Sequence, residues 1–226
     1  MKDWNIIFGP RIPRGLLITE KKRFALPTLI LGFAALLLLI SIFLPYWELT
    51  LMAPQYPQGL KMETYVNRVA GDVDEIDGLN HYIGMRSLKE AAELERSLSI
   101  IMIAALVLLV IGSIYTHSPF ALFFTVPAIL YPLLFLGDLY FWMHDFGMHL
   151  DPHAPLSNAV KPFVPPLLGE GFVGQFKTVA SWHVGLFMSF AASVLIIVGL
   201  FYHRKAYKPL MEMHLKNLAA GKVNEI

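Results

Sequence analysis

Four stretches of the chain are almost wholly apolar, and the segments between them alternate or turn. The apolar runs are Ala25–Trp47, Leu98–Tyr115, Pro119–Met143 and Val179–Tyr202. Each is close to or above the roughly 20 residues that cross a bilayer as a helix. The first run is uncharged, is longer than a signal peptide's apolar region and lacks a small-x-small cleavage site after it, so it reads as a retained anchor. Between the first two runs, Leu49–Met52 suits a short strand. Leu60, Met62, Thr64 and Val66 alternate with Lys61, Glu63, Tyr65 and Asn67, as a half-buried strand does. The pattern predicts an all-α integral membrane protein, four transmembrane helices carrying a small β-containing extracytoplasmic cap.

The layout that follows has a cytoplasmic N-terminal segment over 1–24 and a first span over 25–47. A cap loop covers 48–87, a stalk and second span 88–116, a third span 118–143, a second outer loop 144–178, a fourth span 179–202 and a cytoplasmic amphipathic tail 203–226. Pro45 ends the first helix, and Tyr46-Trp47 belongs to an interfacial aromatic belt. Ser87 and Glu90 form a capping box that starts a helix at Leu88. Running to Tyr115, that helix has about 28 residues and measures about 42 Å, more than the hydrocarbon thickness, so its first turns project as a stalk. Ser118 and Pro119 open the third helix, which Pro127 and Pro132 kink. Gly71–Gly78 reads as an acidic turn. Its Asp72, Asp74 and Asp77 offer oxygens to Ca²⁺, but the spacing is not that of an EF-hand loop and a solvated turn looks the same. The second outer loop is stiffened by Pro152, Pro155, Pro162, Pro165 and Pro166, with Phe163, Phe172 and Phe176 packing on the cap. Pro209–Ala220 reads as a short amphipathic helix on the inner surface.

Composition agrees with a membrane protein: 56% of the 226 residues are hydrophobic and only 15% are charged, against about a quarter in soluble domains. A formal charge of +1 excludes a polybasic nucleic-acid binder. Absence of cysteine excludes disulfides, thiolate metal sites and a cysteine nucleophile. Lys2, Arg11, Arg14, Lys21, Lys22 and Arg23 precede the first run, and Arg204, Lys205, Lys208, Lys216 and Lys222 follow the last. By the positive-inside rule both termini are cytoplasmic and both long loops face outward. The location expected is a bacterial cytoplasmic membrane, crossed several times.

Candidate chemistry gathers at Asp138–Pro155. His144 and Met148, and His149 and His153, stand four apart, hence on one face wherever the helix continues. His81 and Met85 make a further pair on the cap. Imidazole and thioether without thiols suit copper, Cu(I) especially. The metal set expected is His81, Met85, His144, Met148, His149 and His153. Asp138 and His183, near one depth in the third and fourth runs, are supporting groups, a carboxylate orienting an imidazole. The same groups also suit a wet helix end that only solvates an interface. No nucleotide loop, hydrolase triad, zinc-protease helix or inverted repeat is present, and the chain is not expected to be an enzyme. A different reading makes it a haem b or quinol-reactive electron-transfer subunit with axial ligands such as His144 and His183. A third makes it a purely structural subunit of a membrane complex.

Three stretches carry a resemblance: Ala53–Leu60 (APQYPQGL), Gly78–Met85 (GLNHYIGM) and Leu150–Pro155 (LDPHAP). They are similar to a family of uncharacterised bacterial membrane proteins that resembles accessory proteins of nitrous-oxide-reductase maturation gene clusters. The likeness covers the outer half of the chain, and LNHYIGM is its most specific string. It implies a role in copper supply to, or assembly of, an extracytoplasmic copper enzyme, with the bilayer and an extracytoplasmic protein as partners. It carries no assigned active-site residues.

Overall fold

The computed structural model describes residues 18–173 and 176–219. The elements in order are α1 (Ile18–Ser41), β1 (Trp47–Ala53), β2 (Tyr56–Thr64), β3 (Val69–Gly71), α2 (Val73–Ile83), α3 (Glu93–Tyr115), α4 (Phe120–Met148), β4 (Gly169–Val173), β5 (Phe176–Trp182) and α5 (Val184–Ala219). Among the described residues four segments are long and apolar enough to cross a bilayer: Lys22–Ser41, Glu93–Tyr115, Phe120–Met148 and Val184–Met213. The chain divides into two compact units. Of the described residues, one comprises 18–39, 104–131 and 190–219, and the other 40–103, 132–173 and 176–189. Expectations for the N-terminal segment before residue 18, and for the tail after residue 219, lie outside the described residues.

The second unit is built on a five-stranded antiparallel sheet of order β3-β2-β1-β5-β4. β1 and β2 form a hairpin with Trp47 opposite Thr64 and Leu51 opposite Leu60, and the register shifts between Leu51 and Ala53. The alternation read in the sequence survives: Leu60 and Met62 are buried while Lys61 is exposed. One sheet face packs Trp47, Leu49, Leu51, Leu60, Met62 and Ala180 against Ile76 and Ile83 of α2 and Leu139, Met143 and Phe146 of α4. Three backbone bonds tie the long segment after α4 to this core. The N–H groups of Asp151, Leu156 and Phe163 donate to the carbonyls of Gly84, Tyr82 and Gly147 at 2.8, 2.9 and 3.0 Å.

The structure departs from the sequence expectations at several elements. The first apolar run stops being helical at Ser41, and Tyr46 and Trp47 are fully buried instead of belonging to a surface belt. Their polar tips explain this: the Trp47 indole donates to the Leu167 carbonyl at 2.8 Å, and the Tyr46 hydroxyl pairs with Ser41 at 2.8 Å. The acidic turn is instead helix α2, because Val73, Ile76, Asn80 and Ile83 recur at helical spacing and are buried. Asp74 and Glu75 sit in its first turn, where the helix dipole favours them, and Gly84 closes it in the left-handed conformation at φ 81°.

The capping box starts no helix. Ser87 donates to Asp77 at 2.5 Å, the Leu88 N–H donates to the same carboxylate at 2.7 Å, and Ala92 has φ 51°. Residues 88–92 are therefore turns and the helix begins at Glu93. The third helix continues past residue 143 to Met148, and the start of the fourth run, Val179–Trp182, belongs to strand β5. A short apolar run with β-branched Thr178 and Val179 suits a strand as well as a helix. Phe163 and Phe176 pack on the core, but Phe172 is exposed.

In the first unit the buried positions include Leu31, Ala34 and Leu38 of α1, Val110 of α3, Ala128 of α4 and Ala192 and Ile196 of α5. Small residues let helix backbones approach closely. α5 runs unbroken through Pro209, where a separate amphipathic helix was expected. Proline removes the N–H that would bond the Lys205 carbonyl. That carbonyl accepts from the Arg23 guanidinium at 2.5 Å instead.

Candidate metal centre

Alternation along β1 sends Trp47, Leu49 and Leu51 into the core and leaves Glu48, Thr50 and Met52 on the opposite face. The register then sets Glu48 directly across from Glu63 on β2 and from Ser181 on β5. His183 follows immediately after β5. Its carbonyl accepts from the N–H groups of Leu186 and Phe187 at 3.1 and 3.2 Å, which opens α5. Its own N–H donates to the Tyr46 carbonyl at 2.9 Å, and the Gly185 N–H donates to the Pro45 carbonyl at 2.8 Å. A Cβ on Gly185 would meet the Tyr46 ring and the carbonyls of Leu44 and Pro45 at 2.5 to 2.8 Å. Glycine is what lets the start of α5 lie against the lead-in to β1 and bring His183 to Glu48.

Glu48, Glu63 and His183 each offer a ligand atom, and these atoms lie within 4.8 Å of one another. Among the described residues they are the one group of three or more His, Asp or Glu side chains so arranged. All three are half-buried. Two carboxylates facing each other across an antiparallel ladder repel. The Tyr65 hydroxyl answers part of this by donating to Glu63 Oε2 at 2.9 Å, and the Thr50 hydroxyl lies 3.5 Å from Glu48 Oε1. The Glu63 carboxylate in turn raises the Tyr65 phenol above its ordinary pKa, because the neutral phenol is the donor. The Arg68 guanidinium lies 3.9 Å over the Tyr65 ring and fixes it. His183 Nδ1 is buried and has no hydrogen-bond partner, an arrangement that costs free energy unless something binds there.

The residues fit a cation. Tetrahedral donors at about 2.0–2.2 Å from a zinc-like ion stand about 3.3–3.6 Å apart, so the three ligand atoms, now within 4.8 Å of one another, close on an ion through side-chain rotations of up to roughly 1.5 Å. Two carboxylate oxygens and one imidazole nitrogen suit Zn(II) or Cu(II), with an open coordination position left for water; the set has no soft donor for Cu(I).

The residues singled out in the sequence are dispersed by comparison. His81 is exposed on the last turn of α2, whereas Met85 is in the core, so the pair does not converge. His144 and Met148 do share α4 and are both exposed. His149 Nδ1 lies 3.0 Å from the Asp145 carboxylate, which also binds Arg86. A guanidinium there opposes a second cation. His153 Nδ1 lies 3.2 Å from Asp151, and the His153 N–H donation holds that carboxyl below its usual range, with His81 adding to the effect. Asp138 has Glu95 and Trp142 as its neighbours, and the expected Asp138–His183 pair is replaced by His183 with Glu48 and Glu63. Sequence reasoning missed both glutamates. The available signal was a single acid within the apolar strand WELTLMA and another on the polar side of β2.

Comparison with family models, curated proteins and solved structures finds no match.

Proposed function

We propose that this chain is a multi-pass protein of the bacterial cytoplasmic membrane that holds a divalent transition-metal ion at Glu48, Glu63 and His183 and assists an extracytoplasmic copper enzyme. The observation that carries the reading is the convergence of two carboxylates and an imidazole with a buried, unpartnered Nδ1 on one sheet face. The four apolar helices and the basic flanks of the first and last support the membrane topology, with both termini inside and the sheet outside. Copper is favoured as Cu(II): among divalent first-row ions it binds a given N/O site most tightly, and the thioethers that would select Cu(I) are not at this site. The resemblance of GLNHYIGM and LDPHAP to accessory proteins of a copper enzyme points the same way. Three protein donors and an open position suit exchange with a partner better than permanent storage.

The test is metal content and electron paramagnetic resonance of the full chain in detergent. Wild type is expected to bind one Cu(II) with mixed N/O coordination. Glu48→Gln with His183→Ala should abolish it, while His144→Ala, Met148→Ala and His149→Ala together should retain it. Loss in the second set with retention in the first returns the site to α4. No Cu(II) or Zn(II) in wild type ends the metal reading.

A further inference from the structure

A second histidine cluster sits at the α3–α4 connection. His117 Nδ1 faces His203 Nε2 of α5 at 3.3 Å. The Tyr207 ring lies flat on His117, with centroids 3.8 Å apart and planes 7° from parallel, and its centroid is 4.7 Å from that of His203. Phe24 of α1 closes on Tyr207 edge-on at 5.1 Å. His203 and Tyr207 are each only 4% exposed, and Ser113, Thr116 and Ser118 beside them are buried. The Ser113 and Thr116 hydroxyls are occupied by the Val110 and Gly112 carbonyls at 2.6 and 3.0 Å. The two facing nitrogens share one proton, and the tautomer sets which ring donates it. Two imidazoles thus meet end to end in a packed site, held by rings on their faces.

We propose that His117 and His203 form a two-coordinate site for a monovalent d¹⁰ cation, Cu(I). Imidazole is a copper ligand, and a closed-shell monovalent ion accepts two opposed nitrogens without further donors. The ion takes the place of the proton now shared between Nδ1 and Nε2. That proton moves to the outer nitrogen of the ring that carries it, so both rings stay neutral and binding changes no oxidation state. Charge decides against a divalent ion. Among the described residues no carboxylate acts on either imidazole, and the cost of burying an ion grows as the square of its charge. With metal–imidazole distances of about 2 Å, two opposed nitrogens stand about 4 Å apart, so the 3.3 Å gap has to open by roughly 0.5–0.7 Å, which the flat stacking on Tyr207 allows by sliding. This site shares no residue, and no ion charge, with the sheet centre.

The experiment is Cu(I) binding by the full chain in detergent, under anaerobic reducing conditions and against a chromophoric Cu(I) chelator, with X-ray absorption of the complex. Wild type should show a two-coordinate nitrogen environment. His117→Gln and His203→Gln should each weaken binding at least tenfold, Tyr207→Phe should leave it unchanged, and Glu48→Gln with His183→Ala should also leave it unchanged. Melting curves of each glutamine variant establish that it is folded. Wild-type affinity in folded His117→Gln, an oxygen-rich three- or four-coordinate spectrum, or no Cu(I) uptake by wild type each overturns the proposal. The sheet centre stands or falls separately, on the Cu(II) measurement.

Discussion

His183 and the His117–His203 pair show two ways of placing a histidine in one chain. His183 stands on a sheet face beside two carboxylates that arrive from β1 and β2, and its Nδ1 is left without a partner. His117 and His203 stand among aromatic rings and satisfied hydroxyls, and each is the other's partner. The difference lies in how the elements bring residues together. A sheet sets residues from distant strands directly opposite by register, so charged groups can be forced into proximity. Packed helices that bury small apolar residues leave room for polar groups only where they satisfy one another. The first arrangement stores electrostatic cost that a cation relieves; the second stores none.

The largest effect expected from this contrast concerns Tyr65. Its hydroxyl holds Glu63 Oε2 at 2.9 Å, and groups that orient a metal ligand are typically worth about 10–100-fold in affinity. Tyr65→Phe keeps the ring under Arg68 and removes only that donor. Cu(II) affinity should fall by that factor, with no change in Cu(I) uptake at His117 and His203. An unchanged Cu(II) affinity would mean that Glu63 is oriented by the strand alone.

The legibility of the chain divides along the same line. The four long apolar runs report their own helices, because burial or lipid contact needs no knowledge of a partner. The alternation of Leu60 and Met62 with Lys61 and Glu63 likewise reports a strand. The cluster was hidden because Glu48, Glu63 and His183 meet only once β1 is paired on both sides and β5 ends next to α5. Val179–Trp182 disguised this, since Val179, Ala180 and Trp182 before a long apolar run extend a helix pattern as readily as they form a strand. Ser87 misled for a related reason. Its hydroxyl matched a capping motif locally, but Asp77, ten positions earlier, claims it. The His and Met residues of α4 were legible as a helical face, and the Arg86 that binds Asp145 among them was not.

A smaller effect separates the two histidine environments by pH. Burial, with the neighbouring His203, holds the His117 imidazole down at about 4, against its ordinary value of 6.5. The fold therefore prefers the neutral ring. Above 6.5 neither the folded nor the unfolded chain is protonated there, and His117 has no pH effect. Between 6.5 and about 4 the unfolded chain takes up a proton that the folded chain refuses, so stability falls as pH drops; below about 4 the loss levels off. Thermal melting in detergent from pH 7.5 to pH 4.5 should show this decline, and His117→Gln should make it shallower. A slope unchanged in His117→Gln would place the titrating group elsewhere.

The smallest effect has the most telling sign. Without a cation, Glu48 and Glu63 face each other across the ladder, and such a like-charged pair costs roughly 0.2–1 kcal/mol relative to a neutral one. Glu48→Gln removes one charge, keeps the shape and leaves an amide able to donate to Glu63. The metal-free variant should therefore be more stable than metal-free wild type by that amount. With Cu(II) in excess the order should reverse, because an ion that binds only the folded state stabilises it by mass action and the variant no longer has the site. Paired melting curves of wild type and Glu48→Gln, with a chelator and with Cu(II), measure both differences. A variant less stable than wild type in chelator would show that Glu48 is held by structural contacts. The facing carboxylates would then be an ordinary part of the sheet, with no strain for a cation to relieve.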